Sequence, residues 1–164
     1  MALKKEKRKV ISHNPRTLLL YGAPKVGKTT MLSGLDDCLI IDTEKGSRMI
    51  EGYIEEVNSR DELIDTLIEI KESKDISYKY IAIDTIDKIA EWAEKRVCEE
   101  EAVSSIADLA FGKGYGLVRE KVTKTVSAFN EVADHLIIIG HRKVAYAVTE
   151  GNPIVIPESL DLTG

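Results

Sequence analysis

Four short apolar segments recur along the chain, and each is followed by a turn that contains a polar residue or a glycine. Leu and Ile follow one another in these segments with little polar alternation, which is typical of strands that a parallel sheet buries on both faces. We therefore expect strands at Thr17–Tyr21, Cys38–Asp42, Tyr80–Asp84 and Leu136–Gly140.

Apolar residues between these segments recur at the spacing of helices. Ser59 and Glu62 form the pattern of a capping box, which predicts a helix that begins there and continues over residues 63–71. Two further amphipathic stripes, over residues 86–97 and 118–133, predict one helix after the third strand and one before the fourth.

After the fourth strand the apolar pattern changes to a period of two. Residues 144–148 and 154–156 alternate on either side of a turn at Gly151-Asn152, which predicts a β-hairpin. Alternating strands and helices followed by a hairpin predict the α/β class. The expected form is a three-layer sandwich with a mostly parallel sheet and a C-terminal β-hairpin.

The length of 164 residues is that of one domain. We expect this domain to span residues 15–164 after a basic tail over residues 1–14, and to lack a natural C-terminal segment because residues 159–164 complete no element. Residues 1–9 carry five basic residues and one acidic residue, so the rest of the chain has a net charge of −9. An acidic body as a whole does not favour nucleic-acid binding, so a DNA contact requires a local basic patch or the basic tail. The alternative for the tail is a solvated terminus that binds nothing.

We expect neither a membrane-spanning segment nor a secretory signal. No apolar run approaches the roughly 20 residues of a membrane-spanning helix, and no apolar region follows the basic N-terminal segment, as a secretory signal would require. Cys38 and Cys98 lie far apart and outside any metal-binding pattern, and the histidines do not cluster. We therefore expect reduced thiols in a cytoplasmic protein and no zinc site.

A glycine-rich segment after the first strand carries the clearest chemical signal. It fits the pattern G-x-x-x-x-G-K-[ST], in which two glycines let the backbone wrap around a phosphate and successive N–H groups point at it. In this pattern Lys28 reaches the β- and γ-phosphates, and the Thr29 hydroxyl binds Mg²⁺. The alternative is a glycine turn that binds nothing. The expected nucleotide-binding residues are Gly22, Ala23, Pro24, Lys25, Val26, Gly27, Lys28, Thr29 and Thr30.

The third apolar segment ends in Asp84, which can supply the second half of such a site. An acidic residue at the tip of a strand beside the loop holds Mg²⁺ directly or through water, so Thr29 and Asp84 are the expected metal-binding residues. In an alternative that does not exclude this role, Asp84 caps the helix that follows.

Four segments with these features together resemble the RecA core of the P-loop NTPases, over about residues 15–160. The resemblance implies that the fourth strand lies between the loop strand and the strand of the metal aspartate. The four segments are Gly22–Thr29, Leu39–Glu44, Tyr80–Asp84 and Leu136–His141.

The same resemblance implies catalytic roles at the ends of the second and fourth strands. Many P-loop enzymes have a catalytic glutamate directly after the metal aspartate, but this chain has Thr85 there. In RecA-like proteins a glutamate after the second strand polarises the attacking water, which implies that Glu44 is the base, with a surface position in a turn as the alternative. His141 has the place of the polar γ-phosphate sensor, unless it is a strand-end histidine bonded to the backbone. The expected catalytic residues are Glu44, Lys28 and His141.

Among the RecA-like proteins, the chain is similar to small phage-encoded ATP-binding proteins of the single-strand annealing type. The shared features are a loop of the form Gly-x-Pro-Lys-x-Gly-Lys-Thr, a following Asp-x-Glu and a Gly-His at the tip of the fourth strand. This similarity implies ATP and Mg²⁺ as cofactors, slow hydrolysis that DNA or oligomerisation stimulates, and action with single-stranded DNA in phage recombination or replication. It also implies a homo-oligomer in the host cytoplasm, with a single-strand DNA-binding protein as a further candidate partner.

Two segments carry basic residues that stand out against the acidic body. Residues 111–116 combine three glycines with Phe, Lys and Tyr, which favours a mobile loop whose rings stack on bases. The alternative is a helix connection in which Phe111 and Tyr115 pack on the core. The other segment directly follows His141. The expected DNA-binding residues are Lys113, Tyr115, Arg119, Arg142 and Lys143.

Two other functions fit the same nucleotide-binding loop. One is a non-catalytic module in which ATP only gates an assembly. A small-molecule kinase fits less well, because such an enzyme needs a lid rich in arginine and the arginines of this chain do not cluster.

Overall fold

Five parallel strands form the main sheet, and two antiparallel strands form a separate hairpin. A computed structural model of the chain describes residues 16–73 and 78–142, and the backbone of the two hairpin strands. The predicted α/β class, parallel sheet and C-terminal hairpin are thereby confirmed. The main sheet contains β1 (Thr17–Gly22), β2 (Cys38–Asp42), β3 (Tyr53–Glu56), β4 (Tyr80–Asp84) and β5 (His135–His141), and the hairpin contains β6 (Ala145–Thr149) and β7 (Asn152–Ile156).

The second, third and fourth helices lie where the apolar stripes predict them. Two short 3₁₀ turns, Ile106–Asp108 and Ala110–Gly112, join the third helix to the fourth. The helices of the described residues are α1 (Lys28–Leu32), α2 (Arg60–Glu72), α3 (Ile86–Glu101) and α4 (Lys113–Val132).

The predicted capping pattern at the start of α2 is present in a modified form. The Ser59 hydroxyl accepts a hydrogen bond from the N–H of Glu62 at 3.2 Å, as expected. The Glu62 carboxylate reaches one residue further back than in a capping box and accepts from the N–H of Asn58 at 2.8 Å. The first turn of α2 is thus anchored to the segment that follows β3.

The strand order of the main sheet is β1-β5-β4-β2-β3. β5 therefore lies between the strand of the phosphate loop and the strand that ends in Asp84, as the RecA resemblance implies. Parallel neighbours end at the same edge of the sheet, so Asp42 pairs with Asp84 and Gly22 pairs with His141. This pairing brings the ends of four strands together.

Helices cover both faces of the sheet, which gives the three layers expected. α2, α3 and α4 pack on one face, where Leu63 and Phe129 join a core cluster with Ile83. α1 lies on the other face, where Leu32 packs with Ile40. The apolar residues of β2, β4 and β5 thus fill the interior on both sides.

The prediction that every strand is buried on both faces is wrong for β1. Leu18 and Leu19 point to opposite faces and are 39% and 60% exposed, because β1 is an edge strand of the described sheet whose contacts with described elements are mainly with β5 and not with helices. The sequence pattern also misses β3, whose Tyr-Ile-Glu-Glu segment contains two acidic residues and no apolar periodicity. β3 is the opposite edge strand, and its side chains are mostly exposed.

The glycine-rich segment over residues 111–116 is not a loop over most of its length. α4 begins at Lys113, so residues 113–116 form its first turn. The alternative, in which Phe111 and Tyr115 pack on the core, is also wrong, since Phe111 is fully exposed and Tyr115 is 61% exposed. Two exposed rings therefore flank the start of a helix.

Some predicted features lie outside the described residues. These are the basic tail over residues 1–14, Lys143, the turn at Gly151 and the segment over residues 159–164. None of the helices in the described part of the chain combines the length and the apolar character needed to cross a bilayer.

Two alanine substitutions test the close approach of α4 to the preceding 3₁₀ turn. We expect Gly114→Ala to lower the free energy of unfolding by about 1–3 kcal/mol, because an added Cβ would lie 2.3 Å from the backbone oxygen of Ile106. Gly116→Ala is the matched control in the same turn, where an added Cβ has no atom within 4 Å. We expect this control to be stabilised by about 0.5–1 kcal/mol, since alanine is favoured over glycine in helices.

Urea unfolding followed by circular dichroism measures both changes. A Gly114→Ala variant as stable as Gly116→Ala would contradict the described packing of α4.

Candidate functional site

The carboxyl ends of β1, β2, β4 and β5 surround a cleft of about 430 Å³. Ligands of open parallel sheets bind in such a position, outside the ends of the strands. Three predicted nucleotide-binding residues do not line the cleft. Gly22 and Ala23 accept hydrogen bonds from Lys28 through their carbonyl oxygens, and Val26 is exposed. The predicted site residues that line the cleft are Pro24, Lys25, Gly27, Lys28, Thr29, Thr30, Glu44, Asp84 and His141.

The phosphate loop between β1 and α1 wraps around the Lys28 side chain. Gly27 directly precedes α1 with φ +88°, a left-handed conformation that favours glycine. Lys28 is buried as a residue, and its ammonium group donates hydrogen bonds to the carbonyl oxygens of Gly22 at 3.1 Å and Ala23 at 2.8 Å. A positive charge therefore lies within the loop, where an anionic phosphate can be bound.

Thr29 and Asp84 are brought into contact across the cleft. The Thr29 hydroxyl donates to Asp84 Oδ2 at 2.5 Å. Burial raises the pKa of the Asp84 carboxyl group above its usual range, and the negative charges of Asp42 and Glu44 act in the same direction, whereas the Thr29 hydrogen bond and His141 oppose them. Hydroxyl and carboxylate oxygens are ligands of the kind that Mg²⁺ prefers, so this pair fits the expected ion.

Asp42 ends β2 and organises the turn that carries Glu44. Its Oδ1 accepts from the N–H groups of Glu44 at 2.9 Å and Gly46 at 3.3 Å, and its Oδ2 accepts from the N–H of Ser47 at 2.8 Å and from the Ser47 hydroxyl. Burial of Asp42 opposes ionisation, but the hydrogen bonds from Ser47, Glu44 and Gly46 outweigh it and lower the pKa of this carboxyl group. Asp42 therefore fixes the backbone from which Glu44 projects.

The Glu44 side chain lies between Thr85 and His141. The Thr85 hydroxyl donates to Glu44 Oε1 at 2.9 Å, and Nδ1 of His141 lies 3.7 Å from the same oxygen. His141 also contacts Asp87 in the first turn of α3. The backbone N–H of His141 donates to Asp87 Oδ2 at 2.8 Å, and its ring nitrogen Nδ1 lies 3.8 Å from that oxygen. Glu44 thus faces the cleft, and the imidazole of His141 faces two carboxylates.

Asp87, and the role of Thr85 as a hydrogen-bond partner of Glu44, are parts of the site that the sequence pattern does not predict. Both follow Asp84 closely, one at the end of the strand and one in the first turn of α3. Polar residues in such places lie at the carboxyl edge of a parallel sheet, and this position is the signal that could have identified them.

Arg142 is the candidate DNA-binding residue that lies beside the cleft. Arg142 is exposed, and its backbone N–H donates to the carbonyl oxygen of Gly22 at 3.0 Å. The end of β5 is thereby tied to the start of the phosphate loop. Lys143, the neighbouring candidate, lies outside the described residues.

The other candidate DNA-binding residues lie on the first turns of α4. Tyr115 and Arg119 are exposed there. The Lys113 ammonium group pairs with Glu101 of α3 at 2.7 Å, which reduces the positive charge that this end of α4 presents to a nucleic acid.

The strand order and the phosphate loop define a P-loop NTPase. A family model described as an AAA domain matches residues 14–158, and the chain therefore belongs to the AAA domain family. Its class is that of nucleotide-binding ATPase domains. No protein of curated function matches the chain.

The two buried aspartates at the strand ends are expected to affect stability in opposite directions. Asp42→Asn removes an acceptor from the turn, so we expect the free energy of unfolding at neutral pH to fall by about 1–3 kcal/mol. Because folding lowers the pKa of Asp42, its stabilising contribution is present above the unfolded pKa and is lost as the pH falls through the folded pKa. The deficit of the variant should therefore shrink in acid.

Asp84→Asn is the matched comparison, measured without Mg²⁺ or nucleotide. Because folding raises the pKa of Asp84, its ionised form destabilises the folded chain at neutral pH, and removal of the charge should raise the free energy of unfolding. Urea unfolding at neutral and acidic pH measures both variants. Equal destabilisation by the two substitutions would contradict the described environments.

Proposed function

We propose that this chain hydrolyses Mg-ATP and acts with single-stranded DNA in phage recombination or replication. The observation that carries the ATPase proposal is the meeting of groups from four strand ends at one cleft. Phosphoryl transfer depends mostly on positioning and charge stabilisation, and these groups can supply both. The groups are Lys28 and Thr29 after β1, Glu44 after β2, Asp84 of β4 and His141 of β5.

In this proposal the loop and Lys28 bind the β- and γ-phosphates. The Lys28 ammonium group donates to two neutral carbonyl oxygens, and an anionic phosphate oxygen is a stronger acceptor. Thr29 and Asp84 would hold Mg²⁺, which supplies positive charge to the phosphates when it is bound.

Glu44 is the proposed base, which accepts a proton from the attacking water. Its side chain lines the cleft and is 35% exposed, so water can reach the carboxylate. The position after Asp84 holds Thr85, which has no carboxylate to act as a base. His141 lies 3.7 Å from Glu44 and is the proposed γ-phosphate sensor, because an imidazole N–H can donate to a phosphate oxygen.

The ATPase proposal is tested by Glu44→Gln, with Lys28→Ala as the comparison. We expect Glu44→Gln to keep its nucleotide affinity and to lose at least about tenfold in turnover, since a positioned base contributes typically 10²–10⁴. Lys28→Ala should lose nucleotide binding, because it removes the positive charge that contacts the phosphates. The variant should still fold, because Lys28 does not belong to the apolar core. Phosphate release, nucleotide titration and thermal unfolding of each variant provide the measurements.

The outcome also distinguishes the other candidate functions. Normal turnover in a folded Glu44→Gln variant would place the base elsewhere. Tight binding without turnover in the wild type would favour an ATP-gated assembly module. Transfer of phosphate to a small molecule, and not to water, would favour a kinase.

The proposed role with single-stranded DNA is supported by Arg142 and by the similarity to phage annealing proteins. Arg142 is exposed and directly follows the proposed sensor His141. Its N–H is bonded to Gly22 of the phosphate loop, so a change at the γ-phosphate has a short path to this residue. A homo-oligomer would place the Arg142 side chains of several protomers along one DNA strand, so that each adds a local phosphate contact.

Arg142→Ala tests this role, with Arg60→Ala as a control that removes the same charge from α2. Labelled single-stranded DNA is titrated by fluorescence anisotropy, with and without a non-hydrolysable ATP analogue. We expect Arg142→Ala to weaken binding. The slope of the logarithm of the binding constant against the logarithm of the salt concentration should become less steep by about 0.7 for each phosphate that Arg142 neutralises. Arg60→Ala should change neither the affinity nor this slope. An equal effect of both variants, or none, would exclude Arg142 as a DNA-binding residue.

A further inference from the structure

We propose that Thr85 is a positioning residue that orients the Glu44 carboxylate for proton transfer, and this inference rests on the proposed function of Glu44 as the base. Thr85 stands in the position where many P-loop enzymes have the base itself. It is 0% exposed, and its hydroxyl donates to Glu44 Oε1 at 2.9 Å. A buried donor therefore contacts the proposed base directly.

The backbone of Thr85 is tied to the end of β2 through Thr43. The N–H of Thr85 donates to the Thr43 hydroxyl oxygen at 2.9 Å, and the N–H of Thr43 donates to the Asp84 carbonyl at 2.7 Å. The Thr43 hydroxyl in turn lies 3.1 Å from the Asp84 carbonyl oxygen and 3.3 Å from that of Thr85. Because Glu44 directly follows Thr43, these bonds set the position of the Thr85 hydroxyl relative to the Glu44 backbone.

The hydrogen bond from Thr85 restricts the carboxylate end of the Glu44 side chain. A glutamate has several rotatable bonds, and its carboxylate samples many orientations unless a contact holds it. The hydroxyl engages Oε1, which leaves Oε2 to accept the proton of the attacking water. A base is effective only when it is held within hydrogen-bond reach of that proton.

The shape of Thr85 can be separated from its hydrogen bond by substitution. Valine has the same shape without the donor, and serine has the donor without the methyl group. A packing role would therefore be preserved in Thr85→Val, whereas a positioning role would be preserved in Thr85→Ser.

The experiment compares Thr85→Val, Thr85→Ser and Thr85→Ala with the wild type and with Glu44→Gln. We expect Thr85→Val to lower kcat by about tenfold with a nucleotide Kd within about twofold of wild type, because only the base is displaced. Thr85→Ser should retain at least about half of the wild-type kcat, since it keeps the donor. If Thr85→Val impairs folding, as judged by thermal unfolding, Thr85→Ala replaces it as the variant without the hydroxyl, and its kcat is compared with that of Thr85→Ser.

The double variant Thr85→Val/Glu44→Gln gives a readout that a packing role would not share. Once the carboxylate is gone, the hydroxyl has no base to orient, so the double variant should be no slower than Glu44→Gln. Wild-type turnover in Thr85→Val and Thr85→Ala, equal slowing in Thr85→Ser, or additive losses in the double variant would each overturn the inference. Normal turnover in Glu44→Gln would instead overturn the proposed base, so the two failures are distinguishable.

Discussion

In the centre of the sheet, β4 pairs in parallel with β2 on one side and with β5 on the other. This register sets Asp42 opposite Asp84, and the bond from the Thr43 N–H to the Asp84 carbonyl continues the pairing beyond the strand ends. A slip of one residue would turn each side chain to the other face and would separate Glu44 from Thr85. The arrangement of the site therefore depends on backbone pairing in the core.

Three carboxylates, those of Asp42, Glu44 and Asp84, line one small cleft, and the surroundings of each are different. Asp42 accepts bonds from its own turn, whereas Glu44 accepts one from Thr85. Asp84 has the least favourable surroundings, because burial and two like charges outweigh the hydrogen bond from Thr29 and raise its pKa. A carboxylate in this condition gains most from a bound cation, which is the role proposed for it.

The carbonyl group of Gly22 links the phosphate loop to the segment that follows β5. It accepts one hydrogen bond from the Lys28 ammonium group and another from the N–H of Arg142. Lys28 is the residue that a phosphate would draw away, and Arg142 directly follows His141. One backbone carbonyl thus contacts both the phosphate-loop lysine and the residue that follows β5, at the point where the pairing of β1 with β5 ends.

The apolar runs and helical stripes are enough to predict the interior strands, the main helices and the four segments of the cleft, because buried strands need unbroken apolar runs and parallel strands end at one edge. The exposure of Leu18 and Leu19 follows only from the fold, since it depends on which elements pack against β1. β3 carries too few apolar residues for any periodicity to show. The contacts of Thr85 with Glu44 and of Asp87 with His141 join residues far apart in the chain. They exist only because the register of β2, β4 and β5 brings those residues together.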